Sequence, residues 1–154
     1  MLYFLSSNKD SILFVFADGA KNENDSIEQE NIVLVKQIIN TYKCNFKSIK
    51  LIEREKNWGL ANNVIDGIST VLEKYQKVIV LEDDIIVSKG FLKYMNEALL
   101  IYENYPNVAT IQGFQFPINF NSKVESYFDY AVGCWGWATW KRAWVNYHKA
   151  HDIL

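Results

Sequence analysis

Hydrophobic and polar positions alternate along this chain in short blocks, and their spacing switches between that of a buried strand and that of a helix face. Four short apolar runs rich in β-branched residues predict strands at 12–17, 49–51, 78–81 and 108–111. Between them, apolar residues recur every three or four positions and predict helices over about 26–43, 64–75 and 91–102. Ser26 and Gln29 fit a capping box at the first helix. This alternation is typical of an α/β domain with a mainly parallel sheet.

Polar residues follow each predicted strand, at the end of a parallel sheet where ligands bind in α/β folds. In chain order these are Asp18-Gly19, residues 54–59 (REKNWG), Glu82-Asp83-Asp84 and Gln112-Gly113. We therefore expect a binding site to be built from these four segments.

The acidic tripeptide is the most informative of them, because it interrupts an otherwise apolar stretch over 78–87. Three adjacent carboxylates repel one another unless a positive charge compensates. Mg²⁺ and Mn²⁺ prefer such hard oxygen ligands, and Mg²⁺ often takes only one or two carboxylates together with substrate phosphates. The alternative is that these acids cap a helix beginning near Ser88, although one acid would suffice for that.

Two further segments each allow a functional and a structural interpretation. Asp18 could accept a hydrogen bond from a base or ribose, or Asp18-Gly19 could be an ordinary turn. Arg54, with Asn57 and Gly59 before a helix, offers a fixed cation and a helix N-terminus, both of which favour phosphate. The alternative there is a plain loop with an Asn cap.

Tryptophan is concentrated near the end of the chain, where four of the five lie between Trp135 and Trp144. Trp140 and Trp144 are four residues apart, and we interpret them as one packed face of a helix. Trp135 and Trp137 flank Gly136 in a stretch without periodicity. They are candidates for a platform under a sugar ring or nucleotide, with core packing as the alternative.

Composition narrows the function classes. The chain has 154 residues, 49% hydrophobic and 22% charged, which fits one domain. A net charge of -2 argues against nucleic-acid binding through bulk positive charge. No apolar run approaches the roughly 20 residues of a membrane helix, so peripheral contact is the membrane association left open. Two cysteines without metal or redox spacing, and no secretory signal, predict a cytoplasmic location.

Four motifs follow one another along the chain and together indicate a family: FADGAK, REKNWGLANNVIDGI, VIVLEDDIIVSKGFLKYMNEAL and WGWATWKRAW. With them the chain resembles bacterial family-2-like glycosyltransferases of the glycosyltransferase A type. In its LEDD and W-G-W regions it is also similar to the N-acetylglucosaminyltransferase I group. The resemblance spans residues 12–144 and implies a three-layer, Rossmann-like fold with a mainly parallel central sheet.

The resemblance implies inverting transfer of a sugar from a nucleoside diphosphate sugar, a UDP-sugar, to a hydroxyl of a carbohydrate or glycolipid acceptor. It assigns Asp84, the last acid of a D-x-D-like motif, to the Mn²⁺ or Mg²⁺ that bridges the diphosphate. It also assigns Asp18 to the base or ribose, and Arg54 with 57–59 to the nucleotide pocket. It assigns Glu82 and Asp83 to the vicinity of the ribose, and 133–137 to the donor sugar or acceptor. No motif identifies the catalytic base.

Members of this family begin with a further strand, whose end forms one wall of the base pocket, and continue beyond the W-G-W-A-T-W segment. Here residues 2–8 match the end of the helix that follows that strand. We therefore expect one partial domain over 1–154 that lacks the first strand and is cut at both ends. A non-catalytic remnant or interaction module is the alternative function.

Overall fold

The computed structural model describes residues 8–116 and 126–147 of the chain. Helices and strands alternate along it, which confirms the α/β class. The chain divides into two compact units, Met1–Val71 and Leu72–Leu154. The described strands form two small sheets, one parallel and one antiparallel. The single, mainly parallel central sheet of a Rossmann-like fold stays a prediction.

The first unit is built on a parallel pair of strands. β1 (Asn8–Ala17) pairs with β2 (Phe46–Glu53), and the helix α1 (Ser26–Thr41) connects them through a short 3-10 turn. β1 begins at Asn8, and the rest of the helix end expected at 2–8 lies outside the described residues. β2 is longer than the apolar run at 49–51 indicated, because alternate polar residues continue its pairing with β1.

The start of α1 lies close to the predicted position, with different capping residues. Oδ1 of Asp25 accepts hydrogen bonds from the N–H groups of Ile27 and Glu28, at 2.9 and 3.2 Å. Asp25 is thus the N-cap, one residue before Ser26, and the capping box predicted at Ser26 is wrong. Glu28 accepts two further backbone N–H groups, which ties the preceding loop to the first turn.

The helix α2 (Leu60–Lys74) follows β2 after a six-residue loop. Its Gly67 lies against Phe16 of β1, since a Cβ at Gly67 would come within 3.1 Å of the Phe16 ring. This close approach brings the first half of α2 onto the β1–β2 pair.

The second unit has a three-stranded antiparallel sheet. β3 (Lys77–Val80) and β4 (Thr110–Gln112) flank a central strand, β5 (Trp137–Trp140), and both run antiparallel to it. The helix α3 (Phe91–Ile101) packs against this sheet. The buried core comprises Phe91, Met95, Ala98, Leu99, Ile111, Ala138 and Trp140.

The strand β5 corrects the helical interpretation of the tryptophan segment. Trp140 ends β5, and the four-residue helix α4 (Lys141–Trp144) follows it. Trp140 is 2% exposed, and its indole N–H donates to the carbonyl of Leu99 at 3.1 Å. Its assignment to the core is confirmed, whereas its placement in a helix is wrong, because β5 pairs with a strand on each side.

The described helices are α1, α2, α3 and the short α4. Within 8–116 and 126–147, no helix is both long enough and apolar enough to cross a bilayer.

Candidate functional site

In the first unit, the carboxylate of Asp18 holds the end of β1 to the loop between β2 and α2. Its Oδ1 accepts hydrogen bonds from the N–H groups of Gly19 and Trp58, at 3.0 and 2.8 Å. Its Oδ2 accepts one from the N–H of Gly59 at 2.9 Å. A carboxylate has about four lone-pair positions, so roughly one remains on Oδ2 for a ligand.

The two glycines allow this contact between loops. A Cβ on Gly19 would lie 2.5 Å from the carbonyl carbon of Lys56, so no side chain fits there. Gly59 adopts a φ of +75°, a left-handed conformation that L side chains rarely adopt. The amide of Asn57 also donates to the carbonyl of Gly19 at 2.8 Å. We call Asp18, Gly19, Asn57 and Gly59 the clasp.

Arg54 lies beside the clasp, and its charge is balanced within the first unit. Its guanidinium forms an ion pair with Asp66, and its Nε donates to Oδ1 of Asn63 at 3.1 Å. The same guanidinium carbon lies 4.1 Å from the centre of the Trp58 ring. The Arg54 side chain is only 12% exposed. These contacts fix Arg54 in place, as a phosphate-binding cation would need, but they also neutralise its charge within the first unit.

Sequence reasoning did not identify the partners Asn63 and Asp66. They are three residues apart on α2, and therefore share the face of the helix that receives Arg54. The amide of Asn63 also donates to the carbonyl of Phe16 at 3.2 Å, next to the end of β1. The sequence did contain a signal for these partners: two polar residues at helical spacing follow soon after the loop arginine.

A cleft of about 140 Å³ opens at the carboxyl ends of β1 and β2, beside α1. Four carboxylates and two cations contribute to its lining: Asp18, Glu23, Glu53, Glu55, Lys36 and Arg54. Nζ of Lys36 lies 2.6 Å from Oε1 of Glu53. Pockets for drug-sized ligands typically measure about 300–1,000 Å³, so this cleft has room for a base or ribose and not for an entire nucleotide sugar.

In the second unit, Glu82-Asp83-Asp84 forms an exposed turn shortly after β3. The N–H of Ile85 donates to the carbonyl of Glu82 at 3.2 Å and closes this turn. Asp83 and Asp84 are exposed, although their apolar flanks had suggested a sheltered position. Across the described ranges, no side chain or backbone N–H pairs with any of the three carboxylates. We call residues 82–85 the acidic turn.

The alternative role for these acids, capping the following helix, is wrong. The helix α3 begins at Phe91, and its N-cap is Gly90, which has no side-chain cap. The acidic turn ends five residues before this cap. The carboxylates therefore make no contribution to the start of the helix.

A divalent cation of the Mg²⁺ or Mn²⁺ type at the acidic turn stays a prediction. Adjacent exposed carboxylates supply the one or two protein ligands that Mg²⁺ commonly takes, and water and phosphate oxygens complete the coordination. Over the described part of the chain, no group of three or more His, Cys, Asp or Glu side chains is arranged to hold a metal ion. A cation at Asp83 and Asp84 would thus need ligands in addition to the described side chains.

The predicted sugar-binding segment separates into an exposed and a packed residue. The Trp135 ring is 47% exposed and meets the edges of Phe114 and Phe116, with ring centres 4.7 and 6.0 Å away. Trp137 belongs to β5, and its ring lies 6.3 Å from that of Trp144. Only Trp135 of the two presents much of its ring to solvent.

Gly136 and Gln112 explain how Trp135 is held beside the sheet. Gly136 has a φ of +73°, and a Cβ there would come within 3.0 Å of the Phe91 ring. Its carbonyl accepts the N–H of Gly113 at 2.8 Å. The side chain of Gln112 accepts the N–H of Gly133 at 3.0 Å and donates to the carbonyl of Ala131. Gln112 and Gly113, predicted at a strand end, thus organise this segment.

Comparison with protein-family models, with curated proteins and with solved structures gave no match to this chain. The glycosyltransferase resemblance therefore rests on the motifs quoted above and on the chemistry of the two strand-end regions.

Proposed function

We propose that this chain is a metal-dependent glycosyltransferase domain of the Rossmann-like glycosyltransferase A type. It transfers a sugar, with inversion, from a nucleoside diphosphate sugar such as a UDP-sugar to a hydroxyl of a carbohydrate or glycolipid acceptor. The acidic turn carries this proposal, because Asp83 and Asp84 are exposed and no described residue neutralises them.

The role of Asp84 in the proposal is to hold Mn²⁺ or Mg²⁺. Three neighbouring carboxylates without a compensating cation repel one another, and a bound divalent ion relieves that repulsion. Such an ion supplies Lewis-acid chemistry, since it stabilises negative charge on a departing diphosphate. Glu82 and Asp83 lie on the same turn as Asp84, and the resemblance assigns them to the vicinity of the ribose.

The nucleotide end of the donor is assigned to the first unit. The parallel β1–α1–β2 arrangement supports this assignment, because ligands of α/β folds bind at the carboxyl ends of such strands. Asp18 retains about one lone pair for a base N–H or a ribose hydroxyl. In this proposal Arg54, Asn57 and Gly59 shape the pocket, since their polar groups contact Asp66, Gly19 and Asp18.

The donor sugar or acceptor is assigned to Trp135. Its ring is about half exposed, and the flat face of an indole can pack against the apolar side of a sugar ring. Gly136 and Trp137 act through the backbone and the sheet that position it.

Calorimetric titration of UDP in the presence of Mn²⁺ tests the metal assignment. We expect Asp84→Asn to weaken UDP binding at least tenfold, because outer partners of metal ligands alone contribute about 10–100-fold. Asp10→Asn removes another exposed carboxylate, in β1, and should leave UDP affinity unchanged. Equal UDP affinity in Asp84→Asn and wild type would overturn the assignment of Asp84.

A non-catalytic binding or interaction module is the second candidate. One observation favours it: Asp18 and Arg54, both predicted to bind the nucleotide, use most of their polar groups within the first unit. An assay of UDP release from a panel of UDP-sugars, with oligosaccharide acceptors, separates the two candidates. Turnover that Asp84→Asn abolishes excludes the non-catalytic module.

A further inference from the structure

We propose that an aromatic surface of the second unit contacts a bilayer of zwitterionic phospholipid, and that the acceptor is a glycolipid held in that bilayer. The choice of acceptor rests on the proposed function, whereas the lipid contact does not depend on it. Four features of this surface carry the lipid contact: the protrusion of its side chains, its lack of charge, its internally bonded backbone and its residue types.

The surface is formed by two segments that lie side by side, 112–116 and 130–136. A backbone hydrogen bond between Gly113 and Gly136 joins them, and the Gln112 side chain bonds the second segment at two further points. These bonds bring together five exposed apolar side chains, which we call the aromatic patch: Phe114, Phe116, Tyr130, Val132 and Trp135.

Several side chains of the aromatic patch protrude from the protein. Tyr130 is fully exposed, and Val132 and Phe116 are 69% and 66% exposed. The Phe116 ring meets that of Phe114 edge to face, with ring centres 5.2 Å apart. Protruding apolar groups gain free energy when an apolar phase surrounds them. They favour a soft phase such as lipid, because a rigid partner would need a matching cavity for each of them.

Charge is nearly absent from the segments that bear the aromatic patch. Asp129 is the one charged residue at 112–116 and 126–136, although 22% of the whole chain is charged. Few charges therefore lose hydration when this surface leaves water. These segments also contain no Lys or Arg to attract anionic headgroups. We therefore expect contact with zwitterionic lipid, driven by burial of apolar side chains.

The backbone next to the aromatic patch already has hydrogen-bond partners within the protein. Oδ1 of Asp129 accepts the N–H groups of Tyr130 and Ala131, at 2.6 and 3.2 Å. The N–H of Gly136 donates to the carbonyl of Cys134 at 3.1 Å. A backbone N–H that leaves water without a partner is costly, so these bonds lower the cost of placing the segment among lipid headgroups.

The residue types suit the boundary between lipid and water. Trp and Tyr concentrate at this boundary, because their rings are apolar while the N–H or O–H stays hydrated. The aromatic patch has one of each, in Trp135 and Tyr130. The sugar of a glycolipid lies at the same depth, beside Trp135. The lipid contact thus favours a glycolipid over a free carbohydrate as the acceptor of the proposed function.

Co-sedimentation with phosphatidylcholine vesicles tests the lipid contact, in EDTA and without a sugar donor. The full chain is compared with Tyr130→Ser/Val132→Ser, which removes two protruding side chains of the aromatic patch. The matched control, Ile27→Ser/Leu60→Ser, removes two apolar side chains of the first unit that are 69% and 68% exposed. Circular dichroism verifies that each variant is folded.

Half of the wild-type protein should be bound at about 1 mM lipid, roughly tenfold weaker than a single myristoyl chain. Tyr130→Ser/Val132→Ser should weaken binding at least about tenfold, because two apolar side chains no longer leave water. Ile27→Ser/Leu60→Ser should bind like wild type. Partial replacement of phosphatidylcholine by phosphatidylglycerol should not strengthen binding, since the aromatic patch carries no cation.

Three results would each overturn the lipid contact: no binding to phosphatidylcholine vesicles, an equal loss in the variant and its control, or binding that requires phosphatidylglycerol. Sedimentation velocity without lipid adds a fourth. Self-association of wild type that Tyr130→Ser/Val132→Ser abolishes, in a protein that does not bind vesicles, would assign the aromatic patch to a second copy of this chain.

The outcomes also distinguish this inference from the proposed function. If UDP binding with Mn²⁺ requires Asp84 while vesicles are not bound, the inference fails and the glycosyltransferase proposal stands. If vesicles bind through the aromatic patch but no sugar is transferred and Asp84→Asn binds UDP like wild type, the glycosyltransferase proposal fails and the lipid contact stands.

The choice of acceptor is tested where sugar transfer is observed. Transfer to a glycolipid in vesicles should exceed transfer to the same carbohydrate free in solution. Tyr130→Ser/Val132→Ser should lower transfer to the glycolipid and leave transfer to the free carbohydrate unchanged. Equal transfer to the two acceptors by wild type would overturn the glycolipid assignment.

Discussion

The clasp in the first unit and the acidic turn in the second make an instructive pair, because both place aspartate just after a short apolar strand. Asp18 accepts three backbone N–H groups at 2.8–3.0 Å, whereas Asp84 meets no hydrogen-bond donor among the described residues. An acid at a strand end can thus be a structural anchor or a group free for a ligand. The number of backbone donors within reach separates the two cases.

The loops themselves explain the difference. Near Asp18, the left-handed Gly59 turns consecutive N–H groups of the loop after β2 toward the carboxylate. In the acidic turn, the N–H of Ile85 donates to the carbonyl of Glu82 and is not available to a carboxylate. The side chains of Asp83 and Asp84 are exposed. Four substitutions, ordered from the largest expected effect to the smallest, test this contrast.

Removal of the Asp18 carboxylate should destabilise the protein most. Asp18→Ala leaves the N–H groups of Trp58 and Gly59 without their acceptor, and hydrogen bonds to a charged group contribute about 1.5–3 kcal/mol each. Because the loop is partly exposed to water, we expect the free energy of unfolding, measured by urea denaturation, to fall by about 3 kcal/mol. A loss below about 0.5 kcal/mol, the scale of an ordinary surface substitution, would show that the clasp is not structural.

A methyl group at Gly19 should have the next largest effect. The added Cβ would lie 2.5 Å from the carbonyl carbon of Lys56, so the two loops must separate. Overpacking of this kind costs about 1–3 kcal/mol. The control is Gly90→Ala, where a Cβ meets no atom within 4 Å and φ is -85°. Equal melting temperatures for the two variants would contradict the close contact between the loops.

Loss of the Arg54 partner should have a smaller effect. Asp66→Asn leaves the guanidinium of Arg54, at 12% exposure, without its ion pair, but Asp66 is 39% exposed and water screens it. We expect the free energy of unfolding, measured by denaturation, to fall by about 1 kcal/mol. Glu97→Gln removes the exposed pair with Lys93, at 3.8 Å, and should change stability by less than about 0.5 kcal/mol. If Asp66→Asn and Glu97→Gln lose equally little stability, Arg54 is not anchored by Asp66.

Neutralisation of the acidic turn should change stability least. Asp84→Asn removes an exposed charge with no described partner, so the free energy of unfolding should stay within about 0.5 kcal/mol of wild type. The same variant is expected to lose Mn²⁺-dependent UDP binding. A stability loss comparable to that of Asp18→Ala would remove the contrast between the two regions.

The elements that a local pattern describes were largely predictable. β1 and β3 contain the continuous apolar runs at 12–17 and 78–80, and the helices α1, α2 and α3 show apolar residues at helical spacing. β5 was not predictable in this way, because Trp140 and Trp144 also fit helical spacing and Trp137 lies in a stretch without periodicity. Its four residues form a strand because β3 and β4 both pair with them. Strand preference depends on such neighbours more than on the sequence of the strand itself.

The candidate site likewise has features that the sequence predicts and features that it does not. The positions of Asp18, Arg54 and the acidic turn at strand ends followed from the order of the apolar runs. The ion pair of Arg54 did not, because Asp66 lies twelve residues further along and meets it only when α2 packs on β1. The exposed state of Asp84 likewise depended on a turn that closes through its own backbone.

The sequence by itself determined the α/β class, the ends of the strands and the chemical types of residue gathered there, because these depend on spacing and on the preferences of short segments. The tertiary structure decided which acids are anchored and which are free. It also decided that Arg54 is neutralised and that Trp58 is held with much of its ring exposed. Those properties arise from contacts between residues distant in the chain, and no local pattern encodes them.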